Sequence, residues 1–260
     1  MNAGPVRCQR EGELAVVSFD APPLNLFDDA LRAALVSTLD ALEAQPPRAV
    51  LFRADGRVVS AGVDVSLFAA LSGPEEAAET FNGLVSLARR VASLPCPTVF
   101  AAHALCLTWA FELALACDLI FAAQSASFGL VERVIGLTPA MGGTQRLAER
   151  AGTGRARELV MSGERYPATT MERWNVVNRV LPDDGFDAAV RAVAAELATG
   201  PTLAHAATKR VISDYVEGGV ELANDRVGRV AGELFASQDL QDAVASFLRD
   251  GPGKASFQGR

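Results

Sequence analysis

An α/β fold with largely parallel strand pairing is what this sequence predicts, and three observations carry the prediction. Short β-branched, apolar runs alternate with longer amphipathic segments. Half of the 260 residues are hydrophobic, enough for one large core or a main domain with a helical appendage. Beyond "GGTQRLAERAG" the chain turns helical and stays so. The elements follow in order. "LAVVSFD" (14–20) reads as a buried strand that stops at "APP", and "FDDALRAALVSTLDALEA" as an amphipathic helix opened by Asp28 and Asp29. "RAVLFRAD" is a second buried strand, ended by "DG" at 55–56. "PEEAAETFNGLVSLARRVASL" is a helix, "CPTVFAAHAL" a strand, "FELALACD" a short helix and "LIFAA" a strand. Five further stretches read as helices: "TGRARELVMSG", "TTMERWNVV", "FDAAVRAVAAELATG", "TLAHAATKRVISDYVEGG" and "DLQDAVASFLRDG". A division into 1–199 and a helical region over 200–260, serving as an arm or oligomerisation element, is the expected organisation. Neither an internal repeat nor a low-complexity tract interrupts it.

Charge and cysteine usage exclude several classes. A formal net charge of −7, with no basic run of five or more, leaves no electrostatic footprint for nucleic acid. Cys8, Cys96, Cys106 and Cys117 form no CxxC pair, and the chain holds only two histidines, so no zinc-type ligand set assembles and no metal is expected. The cysteines read as buried thiols of a reducing compartment. "MNAGPVRCQREGELAVV" lacks a basic start followed by an apolar stretch, and Glu112 or Asp118 interrupts the longest apolar run before a bilayer's length. A cytoplasmic protein without membrane contact is the expectation.

The chemistry-bearing residues stand out against apolar surroundings. In "AHALCLTWAFELALACDLIFAA" one Trp and one Glu sit three apart, and a carboxylate in so apolar a segment must be hydrogen-bonded, neutralised or functional. Glu132, in "FGLVERVIG", is a second carboxylate of this kind, and two flanking one pocket make an acid/base pair. "SAGVD" (60–64) can expose the Val63 N–H at a turn into a helix, or be an ordinary turn with Asp64 as a cap. The tandem glycines of "PAMGGTQRL" open a helix without a following Lys-Ser/Thr, so they read as helix packing and not as a phosphate cradle. His103 and His205 lack a partnering Ser or Cys motif and read as core or surface residues.

"SAGVD", "FELALACDLIFAAQSASFGLVERVIGLTPAMGGTQRL" and "FASQDLQDAVASFL", with "PPLNLFDDAL" near the start, resemble successive signatures of the crotonase family, the enoyl-CoA hydratase and isomerase superfamily, over nearly the whole chain. The resemblance implies a crotonase-like spiral of ββα units with a C-terminal helical trimerisation region, assembled as a homotrimer or hexamer. It implies acyl-thioester chemistry through a stabilised enolate. Position by position, it assigns the backbone N–H groups of Val63 and Trp109 to an oxyanion hole and Glu112 and Glu132 to acid/base catalysis. Leu26, Ala61, Gly62 and Asp64 fall on the substrate side. Hydration of a 2-enoyl-CoA is the reading that the glutamate pair favours. A Δ3,Δ2-enoyl-CoA isomerase working with Glu132 alone is the alternative, and a non-catalytic acyl-CoA-binding or scaffold member a further one. No cofactor is implied, coenzyme A being part of the substrate.

The departures from the family pattern are specific. Thr108, Trp109 and Ala110 stand where the family usually has a glycine triplet. The indole then either walls the acyl pocket or joins the core. Pro22 and Ser66 stand where many relatives place lysines for the CoA phosphates, which keeps an acyl-carrier-protein thioester open as the substrate. Arg53, Arg57 and Lys254 are the candidate substitutes.

Overall fold

The computed structural model describes residues 4–260, so residues 1–3 of the stretch read above for a leader lie outside the described part. Strands β1 (Val6–Glu11) and β2 (Leu14–Phe19) precede helix α1 (Asp29–Ala44) and strand β3 (Ala49–Ala54). The short α2 (Ser66–Ala69) and the long α3 (Pro74–Ala92) lead to β4 (Thr98–Ala102), β5 (Leu105–Leu107), α4 (Trp109–Ala116), β6 (Leu119–Ala123) and β7 (Ser127–Gly129). A 3₁₀ turn over Glu132–Ile135 is followed by α5 (Gly143–Ala151), α6 (Thr153–Ser162), β8 (Tyr166–Pro167), α7 (Ala168–Arg173) and β9 (Arg179–Leu181). Helices α8 (Phe186–Thr199), α9 (Thr202–Glu233) and α10 (Gln238–Asp250) complete the chain.

The larger sheet has the order β1-β2-β3-β4-β6-β9, parallel throughout except for β1, which pairs antiparallel with β2. All six residues of β2 are buried, as expected of a parallel strand covered on both faces. Helix α1 is capped by the Asp28 side chain, which accepts the Leu31 N–H at 2.7 Å, and its Leu31, Leu35, Leu39 and Leu42 form one buried stripe.

A second, smaller sheet has the order β5-β7-β8, and Ser60 extends it through a bridge to Cys106. The chain therefore advances in ββα steps. β3 continues to Ser60, β4 to β5 and β6 to β7, each time leaving the large sheet for the small one before a helix follows. This explains two differences from the sequence reading. "CPTVFAAHAL" is not one strand: it breaks at His103–Ala104, and its halves, β4 and β5, belong to different sheets. "FELALACD" is helical from Trp109 onward, two residues before the predicted start.

The C-terminal helices are not straight. α9 turns at Gly218–Gly219, where Gly219 has φ 76°, and the two halves run in different directions. The chain end folds back: Asp239, buried on α10, accepts the N–H groups of Gln258 and Gly259 at 2.8 and 2.7 Å.

Candidate active site

Successive ββα steps bring the candidate residues to one place. Val63 follows Ser60 by three residues, Trp109 follows the end of β5 by two, and Glu132 follows the end of β7 by three. They occupy like positions in three turns of the spiral, at the C-terminal ends of parallel strands in the small sheet. The turns are stitched together: the Leu107 N–H donates to Ser60 O at 3.1 Å and the Thr108 N–H to Gly129 O at 3.0 Å. Among the backbone hydrogen bonds of the described residues, none is donated by Val63 or Trp109. Two free N–H groups on adjacent turns, one of them at a helix N-terminus, suit a developing negative charge.

Glu112 is 3% exposed, the fourth residue of α4 after Trp109, Ala110 and Phe111. Its Oε2 accepts the N–H groups of Met141 at 2.9 Å and Gly143 at 2.6 Å. The tandem glycines of "PAMGGTQRL" thus serve the carboxylate, a role the sequence hid behind thirty intervening residues. Gly143 has no substitute there, since a Cβ would stand 2.6 Å from Glu112 Cγ and 2.8 Å from Oε2. Burial, more than anything else, pushes Glu112 up to about 8; the charge of Glu132 adds to the rise, and the N–H groups oppose it. Glu132 lies at the head of the 3₁₀ turn, where burial raises it to about 7. Its Oε2 is buried without a partner among the described residues. The group that ionises second bears the repulsion, so Glu132 loses its proton first and Glu112 follows.

Trp109 is 2% exposed and its indole packs in the core. Its ring meets Phe19 edge-on at 5.0 Å and Phe27 at 5.4 Å, and its Nε1–H donates to Ser60 Oγ at 2.7 Å. Burying an indole requires a partner for that N–H, and Ser60 is positioned to be one. The residue before it, Thr108, has φ 48° and ψ −118°, a region glycine visits freely and Thr enters at a cost of about 1–3 kcal/mol.

Of the residues assigned to the substrate side, Gly62 (φ 125°) is buried, and Leu26, Ala61 and Asp64 are half-buried beside it. The Asp64 carboxylate accepts the Ser66 N–H at 3.0 Å, which holds its pKa down and makes it a turn-forming group at the entry to α2. Asn25, which sequence reasoning passed over, is buried and ties this layer together. Its Oδ1 accepts the Ala21 N–H, and its Nδ2 donates to the Asp55 and Val58 carbonyls.

The remaining candidates take structural roles. His103 pairs with the Gly56 carbonyl at 2.9 Å. Arg53 is held by Asp55 and Asp187, so it is not available as a free cation. Cys96, Cys106 and Cys117 are buried, and desolvation raises all three thiols; Cys8 is exposed, contrary to the expectation of four buried cysteines. Among the described residues no group of His, Cys, Asp and Glu could hold a metal ion, and no helix is long and apolar enough to cross a membrane. A cavity of about 970 Å³ between α3, α5 and α9 is lined by Arg89, Arg146, His205 and Lys209, and by none of Val63, Trp109, Glu112 and Glu132. Two carboxylates in apolar surroundings, not the size of a cavity, single out the candidate site.

The chain as a whole is similar to known proteins. A family model described as Enoyl-CoA hydratase/isomerase matches residues 9–259. A Bacillus subtilis protein named a probable enoyl-CoA hydratase is 31% identical over 252 residues, covering 95% of either chain. A mitochondrial Delta(3,5)-Delta(2,4)-dienoyl-CoA isomerase of Dictyostelium discoideum is 28% identical over 236 residues, 86% of this chain and 80% of that one. The crystal structure of enoyl-CoA hydratase subunit I of Geobacillus kaustophilus HTA426 superimposes with a TM-score of 0.90 at 29% identity, over 98% of both chains.

Proposed function

The chain belongs to the enoyl-CoA hydratase/isomerase family, and from that membership we propose that it hydrates a 2-enoyl thioester to the 3-hydroxyacyl thioester, with Glu112 and Glu132 as its acid/base pair. The observation that carries the reading is the placement of this pair: Glu112 is 3% exposed with its Oε2 held by two backbone N–H groups, and Glu132 has a buried Oε2 without a partner among the described residues. Two carboxylates in one apolar site are both shifted into the neutral range, to about 8 and about 7. Burial that raises both groups lets one carboxylate keep its proton while the other is ionised, the division of roles that hydration uses. The ionised carboxylate takes a proton from water as its oxygen bonds to C3. The protonated one delivers its proton to C2, and the pair then re-equilibrates its single proton with solvent.

Charge develops meanwhile on the thioester oxygen. The N–H groups of Val63 and Trp109 are the proposed donors to it, each worth about 2.7–4 kcal/mol by analogy with oxyanion-hole donors elsewhere. Coenzyme A enters as part of the substrate, and the mechanism calls for no resident cofactor. With Arg53 engaged by Asp55 and Asp187, Arg57 and Lys254 are the basic candidates left for the phosphates of the thioester carrier, whether coenzyme A or an acyl-carrier protein.

One observation favours a second reading. Glu112 is pinned by two N–H groups whereas Glu132 is half-exposed with a bare Oε2, and a base moving a proton between two carbons, as in Δ3,Δ2-enoyl isomerisation, needs that freedom. The absorbance of the conjugated enoyl thioester separates these readings. Hydration of crotonyl-CoA bleaches it, isomerisation of a 3-enoyl thioester creates it, and a scaffold protein changes neither.

A further inference from the structure

A single buried hydroxyl joins the side chain of Trp109 to the backbone of Gly62, the residue before Val63. Ser60 Oγ accepts the indole N–H of Trp109 at 2.7 Å and the backbone N–H of Gly62 at 3.0 Å, and donates to Asn25 O at 2.8 Å. A serine hydroxyl has one proton and two lone pairs; the two N–H groups take the lone pairs, and the proton is directed to Asn25 O with Gly62 O as a longer second acceptor at 3.3 Å. Ser60 has no solvent exposure, and the indole N–H also lies 3.3 Å from Asn25 O, a longer contact than the one to the hydroxyl. Gly62 immediately precedes Val63, and Trp109 carries the other donor on its own backbone. The chain from indole to hydroxyl to Gly62 N–H therefore runs from one donor residue to the neighbour of the other.

Both donor residues follow a residue at positive φ, which for Thr108, unlike glycine, is a strained conformation. Thr108, immediately before Trp109, sits at φ 48°, and Gly62, immediately before Val63, at φ 125°. The Thr108 side chain lies against Gly62, its Oγ1 3.3 Å from where a Cβ would stand. Beyond Ser60 and Leu107, backbone bonds hold each segment separately: Phe27 donates to Gly62 O and accepts the Asp64 N–H, both at 3.0 Å, and the Thr108 N–H donates to Gly129 O at 3.0 Å, while the Ser60 hydroxyl adds a side-chain link between the two segments. The indole is wedged between Phe19 and Phe27, so its direction is set by the core, and the Ser60 bond transmits that direction to the Gly62–Val63 side.

We propose that the Trp109–Ser60 hydrogen bond is a positioning device that fixes the spacing and mutual orientation of the Val63 and Trp109 N–H groups. The proposal rests on reading those two groups as the oxyanion donors. Such a device acts on the charge formed during reaction and leaves ground-state binding nearly untouched.

The test compares wild type, Trp109→Phe, Ser60→Ala and the double variant with two readouts: turnover of crotonyl-CoA, and the red shift of a cinnamoyl thioester's absorbance on binding, which reports polarisation of its carbonyl. Each single variant is expected to lower kcat about 10-fold with little change in KM, the scale of coupling between directly bonded residues. The red shift shrinks in parallel, and the double variant is no slower than the slower single one. Trp109→Phe keeps an aromatic ring against Phe19 and Phe27, so it carries the test alone should Ser60→Ala fail to fold. Folded variants with unchanged kcat and red shift overturn the proposal, as do losses that multiply in the double variant. A wild-type protein that neither turns over an enoyl thioester nor polarises the cinnamoyl one defeats the reading of function itself, an outcome distinct from the other two.

Discussion

Glu112 and Glu132 share a low-polarity site, and their pH behaviour follows from that sharing. Below about 7 both are protonated and no base remains; above about 8 both are ionised and no acid remains. We expect kcat/KM for an enoyl thioester to trace a bell whose limbs lie near those values and belong to the pair. A profile flat across that interval contradicts it. Both carboxylates were legible in the sequence because a charge in an apolar run demands an explanation. What holds Glu112 was not: its partners are backbone N–H groups of Met141 and Gly143, about thirty positions away, and a backbone donor leaves no mark on residue identity. The direction of Trp109 was also undecidable from sequence, since an indole suits a pocket wall and a core equally. Ser60, Phe19 and Phe27 decide it, and none of them is a neighbour in the chain.

Among the elements, legibility tracked burial and length. β2, β3 and β6 are apolar runs buried along most of their length and stood out at once. β1 did not, because beyond Val6 its residues face solvent and it is a strand only through pairing with β2. The small sheet was invisible: its members are two or three residues long, below any periodicity, and yet they aim Val63, Trp109 and Glu132. At this scale the most sensitive position is the first turn of α5. Gly143→Ala forces the new methyl group into Glu112, so the carboxylate must move or lose its N–H bonds. Turnover should fall about 100-fold, the usual penalty for misplacing a reacting group by about 1 Å, in a protein that still folds. Steady-state kinetics with circular dichroism check this; full activity in Gly143→Ala would remove the α5 N-terminus from the account.

The whole molecule carries an apolar surface that one chain does not cover. Ile212, Tyr215, Val216 and Val220 on α9 are exposed, as are Phe235, at 73%, and Val244, Phe247 and Leu248, the last at 80%. Large apolar side chains left exposed in this way are a common basis of self-association. We therefore propose residues 200–260 as the oligomerisation region, and expect light scattering to return three or six chains per particle at micromolar concentration. Phe247→Asp with Leu248→Asp should shift the distribution toward the single chain, because a carboxylate cannot be buried unpaired in an interface. A stable wild-type monomer contradicts the assignment.

The central claim is that Glu112 and Glu132 together hydrate an enoyl thioester, and the rate at which crotonyl-CoA loses its enoyl absorbance tests it most directly. The wild-type protein should bleach the band, and Glu112→Gln and Glu132→Gln should each slow the reaction by about 10²–10⁴-fold while remaining folded, the usual share of a positioned acid or base. A folded Glu112→Gln or Glu132→Gln variant that bleaches the band at the wild-type rate contradicts the account.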